Sequence, residues 1–145
     1  LGGIIMSFQE KSAYVMFVVL LLGGSLYFYE VLSQSVGLEG LISPIIPGLI
    51  KLTFMLVIMS IIGHIIIAAI SPKEAAAKLD ERERQIFNRA GSISGLILGF
   101  VVILSLGSYL ISEDGSLLFY AVFAGLIISQ LAEYATRIFL YRTAR

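Results

Sequence analysis

One histidine, His64, and a short polar series, Gln130, Glu133 and Arg137, interrupt stretches of sequence that are otherwise apolar. An ionisable group in such a setting is expensive and faces a protein interior or a cavity rather than lipid. Gln130 precedes Glu133 by three residues and Arg137 follows it by four, so on a helix the three form one polar stripe. An imidazole, a carboxylate and a guanidinium at one depth could exchange a proton or hold a charged ligand. The competing reading is a structural clamp, in which Glu133 and Arg137 neutralise each other and the arginine reaches along its stem toward the membrane surface.

Other chemistries find no residues here. There is no cysteine, which removes disulfides, thiolate metal sites and cysteine nucleophiles together. A single histidine cannot supply a two-histidine haem site, and the sequence holds no glycine-rich phosphate loop, HExxH or GxSxG. No enzyme activity and no cofactor is expected. The formal charge is zero, so no basic excess points to direct nucleic-acid binding.

The elements that must position these residues follow from hydropathy. The chain is 145 residues long and 58% hydrophobic, against about 45–50% in soluble domains. Four runs, at residues 13–31, 47–70, 91–111 and 117–141, approach or exceed the roughly 20 apolar residues that cross a bilayer. None alternates as a barrel strand does, so each must be a helix. The first run lacks a small-x-small cleavage site and reads as a retained helix; residues 1–5, ahead of Met6, carry no functional weight. His64 then lies about six residues, or roughly 10 Å, before the end of span two, at a depth comparable to Glu133 in span four.

Charge sets the orientation. Lys73, Lys78, Arg82, Arg84 and Arg89 fall between spans two and three, Lys11 precedes span one, and Arg142 and Arg145 follow span four. The opposite loops hold only Lys51 against Glu30, Glu39, Glu113 and Asp114. By the positive-inside rule both termini and the charged segment are cytoplasmic. The expected fold is an all-α membrane protein, one four-transmembrane-helix bundle over residues 1–145, in a bacterial inner membrane.

Between spans two and three, Ser71, Pro72 and Glu74 read as a capping box that starts a short amphipathic cytoplasmic helix over residues 72–90. Glu74 with Lys78 and Asp80 with Arg84 are spaced to pair along it. Just beyond, Gly91, Gly95 and Gly99 form a small-residue ladder for helix packing, either within the bundle against Ala121, Gly125 and Ser129 of span four or between two copies. On the outer side Glu30 and Lys51 could pair across the first hairpin. Tyr27, Tyr29, Tyr109 and Tyr120 read as an aromatic belt there, and Tyr134 and Tyr141 as its inner counterpart.

Three segments, SFQEKSAYV at residues 7–15, SPKEAAAKLDERERQIFNRAG at 71–91 and LAEYATRIFLYR at 131–142, together resemble a set of small bacterial four-span proteins with a DUF2178-like domain of unknown function. The matching positions are His64, Asp80, Glu81, Arg82, Glu83, Arg84 and Glu133. The resemblance implies a membrane partner for a small cytoplasmic regulator of the helix-turn-helix kind. The expected function is therefore a non-enzymatic interaction protein of the lipid bilayer: a regulatory partner, tether or accessory subunit that binds through Asp80–Arg84. The alternatives are a small oligomeric transporter or channel using His64 and Glu133, and a minor subunit of a larger membrane complex.

Overall fold

The computed structural model describes residues 6–143, and every regular element in it is a helix: α1 (Phe8–Gln34), α2 (Ile46–Ile70), α3 (Pro72–Ala75), α4 (Glu81–Ser112) and α5 (Gly115–Thr143). Four of them, α1, α2, α4 and α5, are long and apolar enough to cross a membrane. The reading of residues 1–5 lies outside the described residues.

Each helix begins where the local chemistry satisfies its first amides. The Ser7 hydroxyl accepts from the Glu10 N–H at 3.2 Å and starts α1. Pro47 sits in the first turn of α2, where its missing donor costs nothing. The expected capping box at Ser71 and Glu74 is not made. Ser71 accepts instead from the Lys11 ammonium at 2.6 Å, and Glu74 lies 3.9 Å from the same ammonium. With both members drawn to α1, α3 stops after one turn and the expected helix over 72–90 divides in two. The box forms at Asp80, whose carboxylate accepts from the Glu83 N–H at 2.7 Å while Glu83 accepts from the Asp80 N–H at 3.4 Å. Residues 81–90 thereby become the first turns of α4 and run without a break into the membrane-spanning part.

At the far end α4 closes on Glu113, which takes a left-handed φ of 53°. Asp114 then accepts from the Leu117 N–H at 3.1 Å and opens α5. This tight turn makes α4 and α5 antiparallel neighbours, as the sequence SEDGS requires.

The packing order is α2–α1–α5–α4. The two hairpins meet through α1 and α5, and α2 and α4 occupy the flanks. Close approach within this row depends on glycines: a methyl at Gly63 would meet the Val15 side chain, one at Gly24 Ile127, and one at Gly125 would fall 2.6 Å from Val101 Cγ1. The ladder of Gly91, Gly95 and Gly99 takes no part in this packing. A Cβ at any of the three would meet nothing within 4 Å, so its expected contact with span four inside one chain is not made. α4 turns Ala90, Ser94 and Ser105 inward instead.

Away from the termini, Tyr27, Phe28, Phe119, Tyr120 and Phe123 interlock around Val31 and Leu52, with the Tyr27 and Phe123 rings 5.2 Å apart. Tyr27 and Tyr120 are thus core residues and not belt residues, whereas Tyr29 and Tyr109 stay exposed. Most of α2 presents Ile, Leu, Val and Phe side chains outward, the surface a bilayer would cover.

Gly125→Leu should lower the thermal midpoint, since overpacking costs about 1–3 kcal/mol, while Gly95→Leu should leave the monomer's stability unchanged. Thermal unfolding followed by circular dichroism in detergent compares the two directly.

Candidate functional site

The end of the molecule that holds both termini is held together by polar contacts between neighbouring helices. α1 supplies the most of them, because its first two turns place Glu10, Lys11, Ser12 and Tyr14 toward different neighbours. Lys11 reaches the α2–α3 junction at Ser71 and Glu74. Glu10 and Tyr14 reach α5: the Arg142 Nε donates to the Tyr14 hydroxyl at 3.1 Å and lies 3.6 Å from the Glu10 carboxylate. Glu10 is only 1% exposed, so protein groups and not water answer its charge.

His64 belongs to this α1 network. Its Nδ1 is 2.7 Å from the Ser60 carbonyl oxygen, an acceptor, so in the neutral ring Nδ1 carries the hydrogen. Nε2 then accepts from the Ser12 hydroxyl at 2.7 Å. Ser60 in turn donates to the Met16 sulfur at 3.1 Å. The imidazole thus joins α2 to α1.

The α4–α5 seam holds the other expected residues. Glu133 accepts directly from Arg137 one turn on, and the two side chains are 16% and 20% exposed. The guanidinium stacks over the Phe87 ring of α4 at 4.1 Å and lies 5.1 Å from the Tyr134 ring. One turn further, the Tyr141 hydroxyl donates to Glu83 at 3.2 Å. Gln130 is exposed and stands apart from the pair.

The expected site of His64, Gln130, Glu133 and Arg137 is therefore not assembled. His64 sits on α2, whose packing partner is α1, while Glu133 sits on α5 with its carboxylate held by Arg137. The arrangement at Glu133 is the clamp, strengthened by two aromatic faces. Of the segment Asp80–Arg84, Asp80 caps α4 and Glu83 both completes the box and receives Tyr141, while Glu81, Arg82 and Arg84 stay exposed. The pairings expected between Glu74 and Lys78 and between Asp80 and Arg84 give way to Glu74 with Lys11 and to the Asp80 cap. The Glu30–Lys51 pair across the first hairpin is present at 3.4 Å.

Glu10 is the residue that the sequence reading passed over. Its signal was the pattern Ser7-x-x-Glu10 ahead of an apolar run, a capping signature that marks a helix start but does not say that the carboxylate will be covered by another helix.

Two measurements check this geometry. Glu133→Gln alone should destabilise more than Glu133→Gln with Arg137→Met, because the single change strands a covered charge. A double-mutant cycle on Ser12→Ala and His64→Ala should give a coupling of about 0.6 kcal/mol, the usual size for a hydrogen bond between membrane helices. Additive effects at Ser12 and His64 would contradict the shared bond.

No protein-family model, curated protein or solved structure matches the chain, and its function is read from this geometry.

Proposed function

We propose that the chain is a non-enzymatic multi-pass membrane protein that binds a protein partner through the exposed face of the first turns of α4, on the cytoplasmic side of a bacterial inner membrane. The observation that carries this reading is the rigid mounting of residues 81–90. Ile86 and Ala90 are buried, Glu83 receives Tyr141, and Phe87 lies under Arg137, so one face of the segment is fixed to α5. The opposite face leaves Glu81, Arg82, Arg84, Gln85, Asn88 and Arg89 exposed.

Length supports the same reading. The 32 residues of α4 extend about 48 Å at 1.5 Å per residue, against about 30 Å of hydrocarbon, so several turns project beyond the apolar layer. A helix already fixed in its bound shape loses little entropy on docking. Its exposed face carries three arginines against one glutamate, which suits an acidic surface on the partner. The positive-inside bias of the same segment supports the cytoplasmic placement.

Charge reversal tests the proposal. Arg82→Glu with Arg84→Glu alters only exposed side chains, so folding should change by less than about 1 kcal/mol. The partner that co-purifies with the native chain in mild detergent should be lost from this variant. Full retention of every partner, with the fold intact, would contradict the proposal.

A further inference from the structure

Where α1 and α2 meet at the end away from the termini, a cavity of about 320 Å³ opens between Leu26, Tyr27, Tyr29, Leu52 and Met55, with Glu30 and Lys51 at its mouth. A second hollow lies on the other side of Glu30, walled by Val31, Gln34, Ile42, Ile45 and Tyr120, and Gly48 borders both. The main cavity is at the lower end of the size range for small-molecule sites. It is too small for a whole lipid and suits the head and glycerol region of one. Its apolar walls begin at the charged pair and continue about one helical turn deeper, to Leu26 on α1 and Met55 on α2.

We infer that this groove binds the zwitterionic headgroup of a membrane phospholipid, with the lipid ammonium on Glu30, the phosphate on Lys51, and the upper chain region against Leu26, Leu52 and Met55. Three features converge on that occupant. Glu30 and Lys51 lie 3.4 Å apart with side chains 51% and 72% exposed, and an ion pair so exposed is worth little, so a ligand bearing both charges displaces it at small cost. The exposed Tyr29 ring beside Glu30 offers a second surface for an ammonium. At this end of the protein Lys51 is outnumbered by Glu30, Glu39, Glu113 and Asp114, and such a field repels a lipid of net negative charge while tolerating one of net zero.

The experiment uses the full chain in bilayer discs made of equal parts phosphatidylethanolamine and phosphatidylglycerol. The chain is released by mild collisional activation, and its retained lipids are identified by native mass spectrometry. The native chain should retain about five phosphatidylethanolamines for every phosphatidylglycerol, a ratio that corresponds to a modest difference in affinity. Glu30→Gln and Lys51→Met should each abolish that enrichment. Gly48→Leu should abolish it with both charges in place, since the side chain enters the groove from a site with ordinary contacts to Ile45 and Tyr27. Enrichment that persists in all three variants, or a preference for phosphatidylglycerol, would overturn the inference. So would a Gly48→Leu chain that keeps its lipids but changes oligomer mass, because a second copy would then occupy the groove.

Discussion

A carboxylate covered by protein must be answered by protein, and the Glu10 carboxylate imposes that demand at the second residue after the start of α1. Among the described residues Arg142, near the last residue of α5, brings a cation to within 3.6 Å of it. Joining the two draws the first and last helices together as antiparallel neighbours. The two hairpins meet through α1 and α5, with α2 and α4 on the flanks. The remaining polar contacts at that end keep to this order. Lys11 and His64 tie α2 to α1, and Glu83 and the Arg137 stack tie α4 to α5.

The opposite end is built on different physics. Tyr27, Phe28, Phe119, Tyr120 and Phe123 pack together at the same α1–α5 seam, Tyr27 edge-on to Phe123 and Phe28 edge-on to Tyr120 across it, and their cohesion comes from area and ring geometry rather than charge. Between the two ends the helices approach through glycines that meet branched side chains, Gly24 against Ile127 and Gly125 against Val101. Such contacts suit a bilayer, where apolar side chains gain little by leaving lipid and close packing must supply the attraction. The division leaves one end rich in directed hydrogen bonds and the other comparatively smooth. The first turns of α4, fixed on one face and polar on the other, grow from the directed end.

What could be read from the sequence follows the reach of each signal. Hydropathy is local and additive, so α1, α2, α4 and α5 were legible to within a few residues at most of their ends, and i,i+4 spacing sufficed to pair Glu133 with Arg137. The Glu30–Lys51 pair was legible because a short hairpin leaves few partners for two opposite charges at one depth. Helix order was not, because depth alone placed His64 beside Glu133, whereas α1 intervenes and supplies Ser12. The capping box was misplaced for a related reason. Ser71 and Glu74 carry the same local pattern as Asp80 and Glu83, and only the approach of Lys11 from α1 decides between them. The glycine ladder announced a smooth helix face but not its direction, and that face turned outward.

The central claim is the helix order set by the polar contacts at the terminal end, and proximity in the membrane tests it most directly. The chain has no cysteine, so introduced pairs report without background. With a short thiol-reactive crosslinker applied to the protein in bilayer discs, Ser12→Cys with His64→Cys and Tyr14→Cys with Arg142→Cys should each join efficiently, while His64→Cys with Glu133→Cys should not. Efficient joining of positions 64 and 133, with positions 14 and 142 left apart, would contradict the account.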